Sequence, residues 1–192
     1  MQSWTEAQKW EKNWHDNCVN SYQEESKQID YARRMGLVVQ GISGRYPVID
    51  FKGKTVLDMG GGPYSLLLKG TDLTGTVVDP LDMPRWCINR YKAAGITHIK
   101  AKGEDFNTGH YDIGLIYNCL QHTEDPEKII ANMRKICDII YIHEWLDTPQ
   151  QDGHIQTITK TQLDEWLEAD GMVGYEKWSE TVITPYYYGL YI

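Results

Sequence analysis

The chain has 192 residues, which is enough for one domain with a sizeable core, and 41% of them are hydrophobic. Its formal net charge is −8, and lysine and arginine are scattered along the sequence, Arg33 and Arg34 being the densest pair. This balance disfavours nucleic acid and anionic membranes as partners, because both present phosphate charges that bind clustered cations.

The N-terminal segment, MQSWTEAQKWEKNWHDN, has no apolar stretch of the kind found in secretory signals. No run in the sequence approaches the length of a membrane span. The four cysteines are far apart and form no C-x-x-C pair; they are Cys18, Cys87, Cys119 and Cys137. Disulfide frameworks and cysteine metal clusters are therefore not expected, and the sequence predicts a cytoplasmic protein.

Residues 1 to about 35 have the pattern of helices. Trp10 and Trp14 lie four residues apart, which is helical spacing. A second helix is predicted to begin at Ser21, which has a glutamate three residues later as in a capping box, and to end at Gly36.

From about residue 54, short β-rich runs alternate with helical segments. The β-rich runs are KTVLDM, GTVVD, THIKAK, YDIGLIYN and DIIYIHEW, and the helical segments are YSLLLKG, MPRWCINRYKAAG and DPEKIIANMRKIC. This alternation predicts right-handed crossovers and a parallel sheet. Further on, TKTQLDEWLEADG predicts a helix capped by Thr159 or Thr161, and VGYEKWSE and YYYGLYI predict an antiparallel pair of strands. No linker interrupts the sequence, so residues 1–192 are predicted to form one domain.

The stretch VLDMGGGPYS places Asp58 just before three consecutive glycines at the end of the first β-rich run. Ligands of open parallel sheets bind beyond the carboxyl ends of the strands, and glycine lets the backbone approach a ligand closely. A dinucleotide pyrophosphate needs such a loop to be free of negative charge, so Asp58 disfavours a dehydrogenase. A carboxylate here suits a ligand with a cationic end, such as an ammonium or sulfonium group.

A second acid, Asp79, ends the next β-rich run, 21 positions after Asp58. An acid at this place typically hydrogen-bonds the hydroxyls of a ribose. S-adenosylmethionine carries a ribose, an adenine, an ammonium and a sulfonium, so it is the ligand that the two acids favour. The other interpretation, that both acids only cap the following helices, does not require this spacing.

VLDMGGGPYS, GTVVDP and YDIGLIYNCLQHTEDPEKII, in this order, resemble the successive motifs of the class I S-adenosylmethionine-dependent methyltransferases. The resemblance covers about residues 54–192, which would form the cofactor-binding core, with residues 1–40 as an N-terminal helical lid. It implies an α/β, Rossmann-like fold whose seven-stranded, mostly parallel sheet has an antiparallel C-terminal strand and helices on both faces. It also implies S-adenosylmethionine as cofactor and S-adenosylhomocysteine as product.

The resemblance further implies a role for residues of these motifs around the methionine portion of the cofactor. The residues expected there are Asp58, Gly60, Gly61, Gly62, Tyr64, Asn118 and Leu120. Asp58 and the glycine backbone would hold the methionine portion, and Asn118 would face it with Leu120 packed nearby. Tyr64 stands where the family often has another glycine, and its ring is expected to flank the methionine tail.

The ribose and adenine portions are assigned in the same way. Asp79 would chelate both ribose hydroxyls, and Pro80 would shape the turn beside them. KGEDF matches the adenine-binding segment, where either Glu104 or Asp105 would accept the adenine amino group. Phe106 would supply a backbone N–H or an apolar contact.

Methyl transfer to an oxygen or an ammonium nitrogen requires a general base. The candidates follow the fourth and fifth β-rich runs; they are His122, His143, Glu144 and His154. His122 has the alternative role of bracing its loop through a backbone contact. His143 and Glu144 are consecutive in a strand and point to opposite faces, so at most one of them faces the substrate.

The other three histidines are not candidates for the base. The histidines expected at the surface are His15, His98 and His110. A metal site built from His143, Glu144, Asp147 and His154 is not expected, since their spacing is not diagnostic of one.

The predicted acceptor is a small molecule, methylated on oxygen or nitrogen, such as a sugar, an amine or another metabolite. The Asn-Pro-Pro-aromatic signature of amino-directed DNA methyltransferases is missing, since the fourth run ends in YNCLQH. Residues of the N-terminal helices that could line the cleft are Trp14, Asn17, Tyr22, Gln28 and Tyr31. These helices could instead be solvated amphipathic covers of the sheet. The alternative function is a protein that binds or cleaves S-adenosylmethionine without methylating an acceptor.

Overall fold

A computed structural model of the chain describes residues 2–16, 21–42 and 46–192, without the side chains of residues 21, 22, 42 and 46. Within these ranges the α-helices are α1 (Trp4–Asp16), α2 (Ser21–Arg34), α3 (Arg85–Ala93), α4 (Pro126–Ile136) and α5 (Lys160–Leu167). The strands are β1 (Val39–Ile42), β2 (Tyr46–Met59), β3 (Gly70–Asp79), β4 (Thr97–Lys100), β5 (Tyr111–Tyr117), β6 (Cys137–Trp145), β7 (Met172–Lys177) and β8 (Ile183–Tyr191).

The strands form one sheet in the order β4-β3-β2-β5-β6-β8-β7, with β1 paired to β2 outside this path. Strands β2 to β6 pair in parallel, whereas β8 runs antiparallel to both of its neighbours, β6 and β7. The predicted mostly parallel sheet with an antiparallel C-terminal strand is confirmed. The order reverses between β2 and β5, and this switch point is where open α/β sheets bind ligands.

The sheet has eight strands in the described residues, one more than the seven expected, because β1 pairs with an early extension of β2. β2 begins at Tyr46 rather than near residue 54, and its register against β3 shifts between Asp50 and Lys54. Lys52 and Gly53 have φ angles of 54° and 74° at this irregularity. Residues with a left-handed backbone are typical of turns, so the sequence around Lys52 and Gly53 predicts a turn. The strand nevertheless continues through them.

Side chains alternate between the two faces of the sheet and bury helices on both, as predicted. Leu57 and Met59 lie in one core cluster with residues of α4 and α5. Val56 lies in a second cluster with residues of α2 and α3. Asp58 therefore points to the same face as Val56, toward α2 and α3.

The segment YSLLLKG was predicted as a helix, and the structure shows two short 3-10 turns instead, Gly62–Tyr64 and Leu66–Lys69. Pro63 is the second residue of the first turn. The side chain of Ser65 accepts a hydrogen bond from the backbone N–H of Leu67 and so caps the second turn. Because this cap lies in the middle of the segment, the segment forms two short turns and not one continuous α-helix.

Helix α5 is capped by Thr159, which resolves the choice between Thr159 and Thr161. The Thr159 side chain accepts from the backbone of Gln162, and the Gln162 side chain accepts in return from the backbone of Thr159, a complete capping box. Thr159→Ala is expected to lower the free energy of unfolding by about 1 kcal/mol. Thr161→Ala, which changes an exposed residue of the first turn, is the control and should leave it nearly unchanged. Urea unfolding of the two variants checks this, and equal losses would contradict the assignment.

Candidate functional site

A cavity of about 240 Å³ opens at the edge of the sheet where β2, β3 and β5 end. Its floor is formed by the loop after β2 and by the ends of β3 and β5, and residues of α1 and α2 face them from across the cavity. The carboxyl ends of parallel strands converge here, so residues distant in the sequence reach one space.

The three consecutive glycines line this cavity. Neighbouring side chains pack so closely against Gly60 and Gly61 that a residue with a Cβ atom would not fit there. A Cβ atom on Gly60 would lie 2.7 Å from the Cβ of Cys119, and one on Gly61 would lie 2.7 Å from Oδ2 of Asp58. Gly62 has a φ of 54°, in the left-handed region, and an added Cβ would meet only His15, at 3.7 Å. The loop therefore presents bare backbone to the cavity.

Asp58 lies beneath this loop and is not among the residues that line the cavity. Its Oδ2 accepts hydrogen bonds from the hydroxyls of Ser65 and Tyr117, each at 2.5 Å. Complete burial raises the pKa of Asp58 to about 7. The structure thus places Asp58 beneath the glycine loop, bonded to Ser65 and Tyr117, and outside the lining of the cavity.

Asp79 faces the cavity at the end of β3, and Pro80 lines it beside Asp79. Its Oδ2 accepts from the backbone N–H of Gly62 at 3.1 Å, and its Oδ1 accepts from that of Leu81 at 2.9 Å. These bonds fix the carboxylate and leave each oxygen a second lone pair for a ligand hydroxyl. Burial raises the pKa of Asp79 to about 6.

The segment predicted to bind adenine separates into three different environments. Glu104 lines the cavity, and its Oε1 accepts from the backbone N–H groups of Glu124 at 2.9 Å and Asp125 at 3.2 Å. Asp105 is exposed at the surface. Phe106 is buried in the core cluster of α4, and its backbone N–H donates to Gly103. Of the three, only Glu104 lines the cavity.

Apolar side chains border the same end of the cavity. They are Met59, Val78, Leu81 and Ile129. A flat apolar ring between such side chains would lose contact with water on both faces, and a carboxylate at its edge could accept from an amino group. This end of the cavity therefore suits an adenine.

Asn118 and Tyr64 line the cavity near the glycine loop, whereas Leu120 does not. Asn118 has a φ of 50°, an uncommon conformation for a residue other than glycine, and it directly follows the last residue of β5. Leu120 is fully buried in the core, and its backbone N–H donates to Oε1 of Glu144 at 3.1 Å. The structure gives Leu120 a packing role behind the cavity wall.

Glu144 and His143 both lie outside the cavity, although the sequence offered them as general bases. Glu144 is fully buried, and its Oε1 accepts from the backbone N–H groups of Cys119, at 2.9 Å, and Leu120. Burial raises the pKa of Glu144 to about 7. His143 is stacked on Tyr31, with ring centroids 4.3 Å apart. Both side chains lie inside the core at the sheet edge, outside the described lining of the cavity.

His122 and His154 do line the cavity, and their rings meet edge to face with centroids 4.6 Å apart. Nδ1 of His122 lies 2.9 Å from the carbonyl oxygen of Gly153, the backbone contact considered as its alternative role. Nδ1 also lies 3.2 Å from Oε1 of Glu11, a residue of α1 that sequence reasoning missed. Glu11 was missed because no local pattern predicts which residue of a helix will face a loop more than a hundred positions away.

Some of the residues predicted to line the cleft from the N-terminal helices do line the cavity. Trp14 and Gln28 line it, whereas Tyr31 is buried in the core. Asn17 and the side chain of Tyr22 lie outside the described part of the chain. His15 was expected at the surface but lines the cavity, and 18% of its side chain is exposed.

The cavity wall is acidic. The charged lysine and carboxylate residues among its described lining are Glu11, Glu24, Lys27, Asp79 and Glu104. This excess of carboxylates favours a ligand with a positive charge. In the described residues, no group of three or more His, Cys, Asp or Glu side chains is arranged to hold a metal ion. None of the helices described is long and apolar enough to cross a membrane.

The sequence matches no protein-family model and no curated protein. Solved structures are similar to it in fold. The Burkholderia thailandensis 1,6-didemethyltoxoflavin-N1-methyltransferase, solved with 1,6-didemethyltoxoflavin and S-adenosylhomocysteine, has a TM-score of 0.62 at 13% identity over 93% of this chain and 83% of that one. DhpI, solved as a complex with SAH, has a TM-score of 0.60 at 12% identity over 96% of this chain and 95% of that one. The [4+2]-cyclase SpnF has a TM-score of 0.55 at 14% identity over 81% of this chain and 60% of that one.

Proposed function

We propose, from the class I S-adenosylmethionine-dependent methyltransferase fold that this chain has, that it transfers a methyl group to an oxygen or nitrogen atom of a small molecule. The observation that carries the proposal is the convergence of bare glycine backbone, Asp79 and Glu104 on one cavity at the switch point of the sheet. These groups are the donors and acceptors that the separate parts of the cofactor need.

The residues present fit S-adenosylmethionine. The backbone of Gly60–Gly62, with Asn118 and Tyr64 nearby, would hold the methionine portion, and Asp79 would accept from the ribose hydroxyls. Glu104 would accept from the adenine amino group between apolar side chains. When bound, the cofactor supplies an electrophilic methyl group on a sulfonium. The chain's own contribution is to hold both reactants in line, exclude water and accept a proton.

The proposed acceptor is small and is neutral or cationic. Helices α1 and α2 border the cavity with tryptophan, glutamine and glutamate side chains, which would enclose a compact molecule and repel an anion. We propose that residues 1–40 act as its lid. The net charge of −8 supports an acceptor other than nucleic acid. The free thiols of Cys87, Cys119 and Cys137 support a reducing, cytoplasmic setting.

Glu104→Gln is expected to weaken binding of S-adenosylhomocysteine about tenfold. Glutamine keeps an oxygen for the backbone N–H groups of residues 124 and 125 but replaces the second oxygen with an NH₂ group, which cannot accept from adenine. Asp105→Asn, at the exposed neighbour, is the matched control and should bind as the wild-type protein does. Calorimetry measures both, and a larger loss in the Asp105 variant would reverse the assignment.

The reaction itself is tested by incubating the protein with S-adenosylmethionine and a panel of small amines, alcohols and sugars. Mass spectrometry then follows S-adenosylhomocysteine and a product 14 mass units heavier than its acceptor, the mass of one added CH₂. Both should form together and in equal amounts. Binding of the cofactor without either product, across the panel, would count against methyl transfer.

A second candidate function is a protein that uses this cavity without transferring a methyl group. The [4+2]-cyclase SpnF, which is similar in fold, supports this second candidate. Its name describes a reaction other than methyl transfer, so the fold alone does not fix the reaction. The same incubation separates two forms of this candidate. A cofactor-cleaving enzyme would release adenosine-containing fragments with no acceptor present, and a non-methylating protein would return S-adenosylmethionine unchanged.

A further inference from the structure

The contact between Glu11 and His122 joins the N-terminal helix to the floor of the cavity. Glu11 belongs to α1, and His122 ends the short 3-10 turn Leu120–His122 after β5. Oε1 of Glu11 lies 3.2 Å from Nδ1 of His122. Only 14% of the Glu11 side chain and 16% of the His122 side chain are exposed, so water screens this pair weakly.

The neighbours of the His122 ring define which nitrogen carries a proton. Nδ1 faces two acceptors, the carbonyl oxygen of Gly153 at 2.9 Å and the Glu11 carboxylate. Nε2 faces a donor, the side-chain amide nitrogen of Gln121, at 3.3 Å. That amide nitrogen also donates to Oδ1 of Asn118 at 3.1 Å, which fixes its orientation. The neutral ring is therefore protonated on Nδ1 and carries its lone pair on Nε2.

Several other titratable groups surround the ring. Those that interact with His122 from the neighbouring elements are Glu11 and His15 on α1, Asp79 on β3, Glu144 on β6 and His154 in the turn after β6. Burial lowers the pKa of His122, but Glu11, the Gly153 carbonyl and Glu144 outweigh it, so the pKa is raised above its ordinary value. Burial and the charge of His122 lower the pKa of the adjacent His154 to about 4, so His154 stays neutral when His122 is protonated.

We propose that His122 is the general base for the acceptor and that Glu11 is its positioning residue, so that the base is completed only when helix α1 lies over the cavity. This inference rests on the proposed function. The arrangement parallels other sites in which a carboxylate holds the Nδ1–H of a histidine. Here Nε2 exchanges its 3.3 Å contact with the Gln121 amide for the proton of the acceptor. Glu11 comes from α1 and His122 from the turn after β5, so the contact that strengthens the base forms where α1 meets the floor of the cavity.

The proton balance is simple. The O–H or N–H bond of the acceptor breaks, its electron pair stays on the oxygen or nitrogen that takes the methyl group, and the proton binds Nε2 of His122. The imidazolium that forms is stabilised by the Glu11 carboxylate on Nδ1, and the proton then leaves to water when α1 opens. No oxidant, metal or second cofactor is needed.

A purely structural role is the competing explanation, in which Glu11 and His122 only latch α1 to the core. Glu11→Gln separates the two roles, because glutamine keeps an oxygen that can accept from Nδ1–H but carries no charge. Asp16→Asn is the matched control, since Asp16 is an exposed carboxylate on the same helix, paired with Lys12 and away from the cavity lining.

The experiment is a histidine NMR titration of the full-length, ligand-free protein, in wild type and in both variants. Glu11→Gln should lower the pKa of His122 relative to wild type, and Asp16→Asn should leave it unchanged. Glu11→Asp, which keeps the charge, should fall between wild type and Glu11→Gln and guards against a fold-wide effect. An unchanged His122 pKa in folded Glu11→Gln overturns the proposal.

Kinetics of the same variants give the second readout once an acceptor is known. Glu11→Gln should lower kcat about tenfold at neutral pH, change KM less than twofold, and move the acid limb of the kcat profile to lower pH. A loss confined to KM overturns the base assignment in favour of the latch. Calorimetry with S-adenosylhomocysteine is the separate test of the proposed function, so a failure of cofactor binding and a failure of the base are told apart.

Discussion

Asp79→Ala is expected to weaken binding of S-adenosylhomocysteine about 100-fold, which corresponds to about 3 kcal/mol. The Asp79 carboxylate is fixed by the backbone N–H groups of Gly62 and Leu81 and is aimed into the cavity. Its removal takes away two charge-assisted hydrogen bonds to the ribose and also frees the glycine loop, so both terms act in the same direction. Calorimetric titration measures the change directly.

Asp82→Ala is the matched control, because Asp82 follows in the same loop but is exposed, with 74% of its side chain open to solvent, and pairs with Lys100. Its affinity should equal that of wild type. The pKa of Asp79 is about 6 in the ligand-free protein, so wild-type affinity should fall about tenfold from pH 7 to pH 5 as the carboxylate is protonated. Asp79→Asn should lack this component, and an equal pH dependence in both proteins would contradict a ribose contact through the ionised form.

His143→Phe is expected to stabilise the protein in acid relative to wild type. His143 is fully buried, its ring stacks on Tyr31 at 4.3 Å and on Tyr186 at 5.0 Å, and neither ring nitrogen has a hydrogen-bond partner among the described residues. Burial, and secondarily the charge of Arg34, lowers the pKa of His143 to about 3. An aromatic ring without nitrogens fits this stack and removes two unpartnered polar atoms.

The sign of the pH effect follows from the protons bound in each state. Between pH 6.5 and 3 the unfolded wild-type chain protonates His143 and the folded one does not, so the histidine contributes a loss of stability that grows as the pH falls. The difference in the free energy of unfolding between His143→Phe and wild type should therefore increase by about 2 kcal/mol from pH 7 to pH 5. Asp58, Asp79 and Glu144 titrate oppositely, but they are present in both proteins and cancel in the difference.

Urea unfolding of both proteins at several pH values measures this gap. His110→Gln changes an exposed imidazole and controls for the loss of a histidine as such. A gap that stays constant from pH 7 to pH 5 would show that His143 takes up a proton in the folded protein and would remove the physical basis for placing it outside the acid–base chemistry.

The order of the strands and the glycine loop could be predicted because their signals are local. Three consecutive glycines after an apolar run, and an acid ending the next run, are visible within about 25 residues of sequence. The structure then brings Gly60–Gly62 and Asp79 to one cavity through the parallel pairing of β2 and β3. The switch-point rule converts strand order directly into the place of a site.

The direction of individual side chains was harder to predict. Asp58 was expected to touch a ligand, but its strand register points it to the face of Val56, beneath the loop. The side chain of His143, on β6, is likewise turned into the core, where it stacks on Tyr31. Both residues lie at the predicted edge, and only the three-dimensional register decides whether such a residue faces the core or the cavity.

Long-range partners carry no local signal at all. Glu11 reaches His122 because α1 crosses the cavity, and the geometry of that crossing depends on the packing of the whole N-terminal segment. The early start of β2 was missed for a related reason. The irregular backbone at Lys52 and Gly53 interrupts the alternation of side chains that marks a strand in the sequence. Pairing with β1 and β3 nevertheless keeps the segment in the sheet.

Every role proposed for the cavity depends on its binding the adenosyl cofactor. Calorimetric titration of the intact wild-type protein with S-adenosylhomocysteine, beside an identical titration with NAD, tests it most directly. We expect one site of micromolar affinity, on the order of −8 kcal/mol, for S-adenosylhomocysteine and no heat with NAD. A folded protein that gives no heat with S-adenosylhomocysteine, or that binds NAD instead, would contradict it.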